Sequence, residues 1–155
     1  YWAACERLGI PVAVLAAAAV GALLPVAEAH PALTIIVDHS GMRGARTLAE
    51  AFDTIDTLEA LARHPGVHMK MGSITNASAR PYPFEDTHWF VERIHRAFGA
   101  RRMMWESDYT QLGGIPYRDA LRLWQEGIPF LSAEDREWIL GRTAATVLRW
   151  PEAAR

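Results

Sequence analysis

The chain has 155 residues, of which 50% are hydrophobic, so it can bury one substantial core but is short for a closed eight-stranded barrel of about 250 residues. Its 16 basic and 18 acidic residues give a net charge of −2 without a Lys/Arg block, which argues against nucleic acid and membrane partners and leaves a small molecule as the expected ligand. The single cysteine, Cys5, cannot form an internal disulfide, which fits a cytoplasmic location.

Four short apolar runs predict buried strands, at residues 11–15, 33–38, 67–71 and 102–105. Helical patterns follow at 16–29, 47–63 and 84–98, and after the last strand at 117–125 and 132–150. The apolar segment 10–29 could also be a membrane span, but Pro11, Gly21 and Pro25 interrupt it. Strand and helix therefore alternate along the first two thirds of the chain.

Alternating units of about 30 residues predict a parallel α/β fold, either an open doubly wound sheet or part of a closed barrel. No G-x-G-x-x-G or Walker-type loop follows any strand, so a nucleotide-binding sheet lacks its usual support. We find no low-complexity linker and predict one domain over 1–155.

Polar residues follow three of the four predicted strands: DHSG at 38–41, KMGS at 70–73 and ESDY at 106–109. Active sites of parallel α/β proteins lie at the carboxyl ends of their strands, and residues two apart share a face. His39, Lys70 and Asp108 are therefore expected to converge, as metal ligands, as acid–base groups, or, for Lys70, as a cation for a substrate carboxylate or oxyanion. The structural alternatives are that the aspartates at 38 and 108 cap the turns that follow them, and that Lys70 neutralises Glu106.

The order of motifs resembles the second half of the amidohydrolase-related family (amidohydrolase 2). The motifs are PVAVL, HPALTIIVDHSG, HPGVHMKMGS, AFGARRMMWESDY and FLSAEDREWILGRTAATVL, which together cover almost the whole chain. The resemblance implies the C-terminal half of a TIM (β/α) barrel, with these strands as the fifth to eighth, outer helices and a helical C-terminal tail.

Carried over by position, Asp108 matches the family's last-strand aspartate, which binds metal where one is present and handles the proton of the attacking water. His39 matches the sixth-strand histidine beside the metal, and Lys70 matches a strand-seven lysine that we expect, with Tyr109, to contact substrate. The resemblance thus implies a divalent metal, zinc above all, held in part by Asp108 and His39.

Three departures separate the chain from the family pattern. No H-x-H pair is present, Leu15 stands where the fifth-strand histidine is expected, and Glu106 stands where a glycine usually precedes Ser-Asp. A fragment that lacks the first four strands would explain the first departure, but Leu15 points instead to lactonase-like members in which metal can be dispensable. In that case Asp108 would act as a general base toward water.

The leading hypothesis is a hydrolase that acts on a lactone, ester-like or amide bond of a small, carboxylated molecule, with Asp108 activating water and His39 assisting. One alternative is a decarboxylase of the same family. The other is a non-catalytic, truncated half-barrel that survives as an interaction module. An isolated half-barrel has open strand edges, so a homo-oligomer or a separate N-terminal half is the expected partner.

Overall fold

A computed structural model describes residues 1–42 and 48–151, with side chains throughout except at 17, 18 and 48–53. Helix α1 (Trp2–Leu8) leads into strand β1 (Val12–Val14), a 3₁₀ segment (Ala17–Ala22) and α2 (Leu23–Ala29). Strand β2 (Ile35–Val37), α3 (Leu48–Leu61), β3 (Val67–Lys70), α4 (His88–Phe98) and β4 (Met103–Met104) follow. The four predicted strands are confirmed to within two residues at each end, and helices lie between them as predicted. The first predicted helix, 16–29, is a 3₁₀ segment in its first half, and the predicted helix start at 47 lies outside the described residues.

The four strands form one parallel sheet in the order β1-β2-β3-β4. A doubly wound sheet reverses its strand order at a switch point, whereas a (β/α) barrel adds each strand next to the one before it. The sequential order therefore resolves the choice that the sequence pattern left open, and the sheet is half of a (β/α) barrel.

The core lies between the sheet and its helices because both faces of the strands are apolar. Ile35, Val37 and Met69 are fully buried in the strands, and Leu58 and Phe90 are fully buried on the helices that pack against them. This matches the expectation that parallel strands read as continuous apolar runs, because helices cover the outer face of a (β/α) barrel and side chains fill its interior. The segment 10–29 belongs to this layered fold, and no described helix is long and apolar enough to span a bilayer.

The C-terminal region forms two helices, each containing a π-helical turn. The first comprises α5 (Tyr117–Arg122) and the π turn Leu123–Gly127, and the second comprises α6 (Ala133–Glu137), the π turn Trp138–Arg142 and α7 (Thr143–Val147). Ser132 and Asp135 cap the second helix reciprocally, as the acidic first turn predicts. The backbone N–H of Trp105, just after β4, donates to the Ile139 carbonyl at 2.7 Å, so this helical tail holds the end of the last strand.

Candidate active site

The carboxyl ends of β2, β3 and β4 bring five charged or titratable side chains together. Asp38 and His39 follow β2, Lys70 is the last residue of β3, and Glu106 and Asp108 follow β4. His39 and Asp108 both adopt positive φ angles, 51° and 45°, which turn the chain sharply where each strand ends. Such left-handed conformations are uncommon outside glycine, and they often occur at functional sites.

His39 lies between two carboxylates. Its Nδ1 is 3.0 Å from Oε1 of Glu106 and 3.3 Å from Oδ2 of Asp108. The Asp108 side chain is 6% exposed and the Glu106 side chain 12%, whereas His39 is 28% exposed. Ser73, after β3, donates its hydroxyl hydrogen bond to the same Oδ2 of Asp108. The imidazole is thus the most exposed of these three side chains, and Ser73, which follows a different strand, also holds the Asp108 carboxylate.

Lys70 does not reach Asp108 directly but joins the group through Glu106. Its Nζ is 2.9 Å from Oδ1 of Asp38 and 3.3 Å from Oε2 of Glu106. Burial disfavours the charged ammonium, but the Asp38 and Glu106 carboxylates outweigh that effect, so the pKa of Lys70 is raised. The expected ion pair between Lys70 and Glu106 is confirmed.

The capping interpretation of the two aspartates is wrong. Asp38 and Asp108 each precede a short 3₁₀ turn, His39–Gly41 and Tyr109–Gln111, but neither side chain makes a capping hydrogen bond. Both carboxylates instead face groups at the ends of other strands. Their position after the strands therefore serves the site and not the helix ends.

A cavity of about 680 Å³ opens beside this cluster. Asp108 and His39 line it together with apolar and uncharged polar side chains, namely Leu15, Met42, Leu112, Ile115, Ser73, Thr75, Asn76, Ser78 and Gln111. Lys70 and Tyr109 are not among the lining residues. Tyr109 is 69% exposed and its ring packs edge-on against Tyr117, with ring centroids 5.9 Å apart. The structure thus puts two of the four predicted site residues on the cavity wall and two outside it.

Sequence reasoning gave Glu106 only the role of a counter-ion for Lys70 and gave Ser73 none. The signal for Glu106 was present, because alternation puts residues 104, 106 and 108 on one face. The signal for Ser73 was weaker, since its contact with Asp108 depends on a turn in which Ser73 itself has a φ of 61°. No sequence periodicity specifies such a turn.

His39, Glu106 and Asp108 could hold a divalent cation. One donor atom from each residue lies within 4.8 Å of the others, and imidazole nitrogen and carboxylate oxygen are both common zinc ligands. The donor set and its close spacing therefore fit a metal ion.

The fold and this site define a class of protein: a parallel (β/α)-barrel protein with a carboxylate–histidine site at the carboxyl ends of its strands. The amidohydrolase family profile matches residues 1–150, and the chain belongs to that family. The predicted family is thereby confirmed.

Known proteins resemble the chain over part of their length. It is 33% identical over 90 residues to an L-fucono-1,5-lactonase of Burkholderia ambifaria, a match that covers 57% of this chain and 30% of the lactonase. A zinc-bound amidohydrolase from Burkholderia multivorans is 25% identical with a TM-score of 0.80, over 97% of this chain and 56% of that protein.

Amidohydrolase 2 from Bifidobacterium longum subsp. infantis shares the fold, with a TM-score of 0.68 at 16% identity. That match covers 96% of this chain and 53% of the other protein. The chain thus spans about half the length of the solved structures it matches, which fits a half-barrel.

Proposed function

We propose that the chain carries the acid–base side of a hydrolase site that opens a lactone, ester-like or amide bond of a small molecule. The observation that carries this proposal is the contact between Asp108 and His39 at 3.3 Å, on the wall of a cavity large enough for a small ring. The family assignment and the similarity to a lactonase favour a lactone as the bond that is opened.

Asp108 is the proposed general base. Both of its described contacts, with Ser73 and His39, fall on Oδ2, which leaves Oδ1 to accept a proton from water. As that proton leaves, the water oxygen bonds to the lactone carbonyl carbon and the carbonyl π electrons move onto the carbonyl oxygen. The burial of Asp108 keeps this carboxylate away from bulk water and fixed in orientation.

His39 is the proposed proton donor to the departing oxygen. When the carbonyl re-forms, the ring C–O bond breaks and protonated His39 donates its proton to that oxygen. His39 then recovers a proton from Asp108 across their contact, which returns both groups to their starting state. One water is consumed and the product is a hydroxy acid.

For Lys70 and Tyr109, the other two predicted site residues, we propose supporting roles. Lys70 supplies positive charge to the carboxylate cluster, and we keep it as an electrostatic contributor on the side away from the cavity. Tyr109 is exposed beside Tyr117, where it could contact the part of a substrate that protrudes from the cavity. The substrate carboxylate expected from the sequence has no unpaired cation to bind among the described lining residues, so we propose an uncharged, polar substrate.

We propose zinc as the divalent cation of this site, with His39 and Asp108 contributing to holding it. When bound, such an ion polarises a carbonyl or acidifies a bound water. The protein steps above use only the chain's own groups and describe the site without a bound ion.

The outer edges of β1 and β4 are the proposed partner surfaces. Each is an edge of the described four-stranded sheet, and such edges present backbone groups that pair readily with further strands. We propose that a longer form of the chain or a second copy supplies those strands. A cytoplasmic location stays a prediction.

The test replaces Asp108 with Asn in the full-length gene product and follows lactone opening on a panel of sugar 1,5-lactones by the acid released. Loss of the general base should reduce kcat by about 10²–10⁴-fold, because the amide cannot accept the proton. The matched control is Asp56→Asn, whose carboxylate is 90% exposed and pairs with Arg93 on the outer helices.

Wild-type turnover in Asp108→Asn would refute the assignment of the base. Release of carbon dioxide in place of a ring-opened acid would favour a decarboxylase. Turnover that is absent in the wild-type protein on every lactone, ester and amide tested would favour a non-catalytic module.

A further inference from the structure

Glu106 is a largely buried acidic side chain in the candidate site. Its side chain lies at the end of β4 with 12% exposure, where a free carboxylate would be costly to desolvate. Its two oxygens face different partners, Oε1 toward His39 Nδ1 at 3.0 Å and Oε2 toward Lys70 Nζ at 3.3 Å. Oε2 is therefore paired with the Lys70 ammonium, while Oε1 faces the His39 imidazole, which Asp108 also contacts.

The neighbouring strand makes room for this side chain. A Cβ built on Gly72 would lie 2.7 Å from the Glu106 Cδ and 3.0 Å from its Cγ, closer than side chains pack. The Gly72 carbonyl is held by a hydrogen bond from the buried Ser40 hydroxyl at 2.9 Å. The absence of a side chain at Gly72, two residues after β3, thus leaves the space that the Glu106 carboxylate occupies.

The fifth-strand position supplies no donor, and the remaining carboxylate at these strand ends is already paired. Leu15 lines the cavity but has no donor atom, and the Asp38 oxygen faces Lys70 at 2.9 Å. Glu106 is then the carboxylate that completes a set with His39 and Asp108, in which one donor atom from each residue lies within 4.8 Å of the others.

The net negative charge of the cluster also favours a bound cation. Asp38, Glu106 and Asp108 are three carboxylates, and Lys70 is the cation paired with them in the described part of the chain. Among these four groups, three negative charges and one positive charge leave two negative charges uncompensated in a partly buried site. A divalent cation would neutralise them.

We propose that Glu106 is a third metal ligand, binding through Oε1 beside His39 and Asp108, while Lys70 holds Oε2 and keeps the carboxylate monodentate. This rests on the metal-binding part of the proposed function but not on the lactone chemistry. It assigns to Glu106 a role beyond neutralising Lys70.

The test is metal binding and not turnover. The full-length protein is freed of metal with a chelator and titrated with Zn²⁺ by calorimetry and with Co²⁺ by visible absorption, which reports the ligand set directly. Glu106→Gln keeps the size of the side chain and removes its charge, so Zn²⁺ affinity should fall at least tenfold, on the order of the losses seen when a metal site is altered. The Co²⁺ spectrum should also change.

Two further variants separate the loss of the proposed ligand from a general effect of removing a negative charge. Glu106→Asp keeps the charge but withdraws it by one methylene, so it should also weaken Zn²⁺ binding while preserving the net charge of the fold. Glu85→Gln removes an exposed carboxylate paired with Arg80 and should bind Zn²⁺ like the wild type.

Unchanged affinity and an unchanged Co²⁺ spectrum in Glu106→Gln would overturn the inference, as would a wild-type protein that binds neither ion. Because no lactone is used, a failure to find hydrolysis leaves this result standing. Conversely, hydrolysis that persists in a protein with no metal affinity would overturn the ligand role and retain the proposed function.

Discussion

Replacing Gly72 with Ala tests whether β3 is shaped around the Glu106 carboxylate. The glycine has no unusual backbone angle that would forbid a side chain, so the effect of the substitution depends on space alone. The added methyl carbon would lie 2.7 Å from Glu106 Cδ and 3.0 Å from Oε1, inside normal contact distance. Glu106 would have to move away from the strand.

The magnitude follows from two opposing effects. Overpacking a close contact costs about 1–3 kcal/mol, and Glu106 cannot give way freely because His39 and Lys70 hold its two oxygens. Ala also restricts the unfolded chain more than Gly, which favours folding by about 0.4–1 kcal/mol. We therefore expect a net loss of about 1–2 kcal/mol in the free energy of unfolding, together with weaker Zn²⁺ binding.

The assay is urea unfolding of the full-length protein followed by circular dichroism, with Gly141→Ala as the matched control. Gly141 lies exposed in a helical turn, and a Cβ there would meet nothing within 4 Å. The control should be more stable than the wild type by about 0.5–1 kcal/mol. A Gly72→Ala protein as stable as Gly141→Ala, with normal metal affinity, would refute the reasoning.

Two further predictions concern the opposite end of the sheet. Arg102 donates to the carbonyls of Phe98, Ala62, His64 and Ala97 at 2.9–3.1 Å, so Arg102→Met should cost about 2–4 kcal/mol, allowing for its partial exposure. In urea unfolding, replacement of its exposed neighbour, Arg101→Met, should change stability little. Equal losses in the two variants would contradict a stabilising role for the Arg102 hydrogen bonds. Burial lowers the pKa of His68 below its ordinary 6.5; the Gly66 carbonyl opposes this and the Arg102 charge adds to it. The unfolded chain thus takes up the proton first, and the stability present above pH 6.5 is lost as the pH falls toward the folded pKa. His68→Gln should flatten that decline, and an unchanged pH profile of the urea midpoint would contradict it.

The strands could be predicted from the sequence because burial on both faces demands apolar runs, and the fully buried β2, Ile35–Val37, meets that demand. The prediction at 102–105 was too long, because Arg102 belongs to the preceding 3₁₀ turn. The C-terminal helices were predicted with less detail. Their π turns at Leu123–Gly127 and Trp138–Arg142 follow from local packing, which a helical periodicity of apolar residues does not encode.

The candidate site was predicted in part, and the reason lies in geometry. Strand alternation puts His39 and Asp108 on the interior face, and the structure brings their side chains to 3.3 Å. Alternation also selected Lys70, but its long side chain bends toward Asp38, away from the cavity lining. The direction taken by a flexible side chain depends on which charges surround it in three dimensions, and the parity of a strand carries no information on that.

The site is a row of charged and titratable side chains in which each group contacts the next. Asp38 pairs with Lys70, Lys70 with Glu106, Glu106 with His39, and His39 with Asp108. Only the His39–Asp108 end lines the cavity, so the Asp38–Lys70 end can fix the geometry without contacting the substrate. Glu106 links the two ends, because its Oε2 faces Lys70 and its Oε1 faces His39. A change in the Asp38 carboxylate should therefore act on the cavity through Lys70 and Glu106, whereas a change at Asp108 acts on the bound molecule directly.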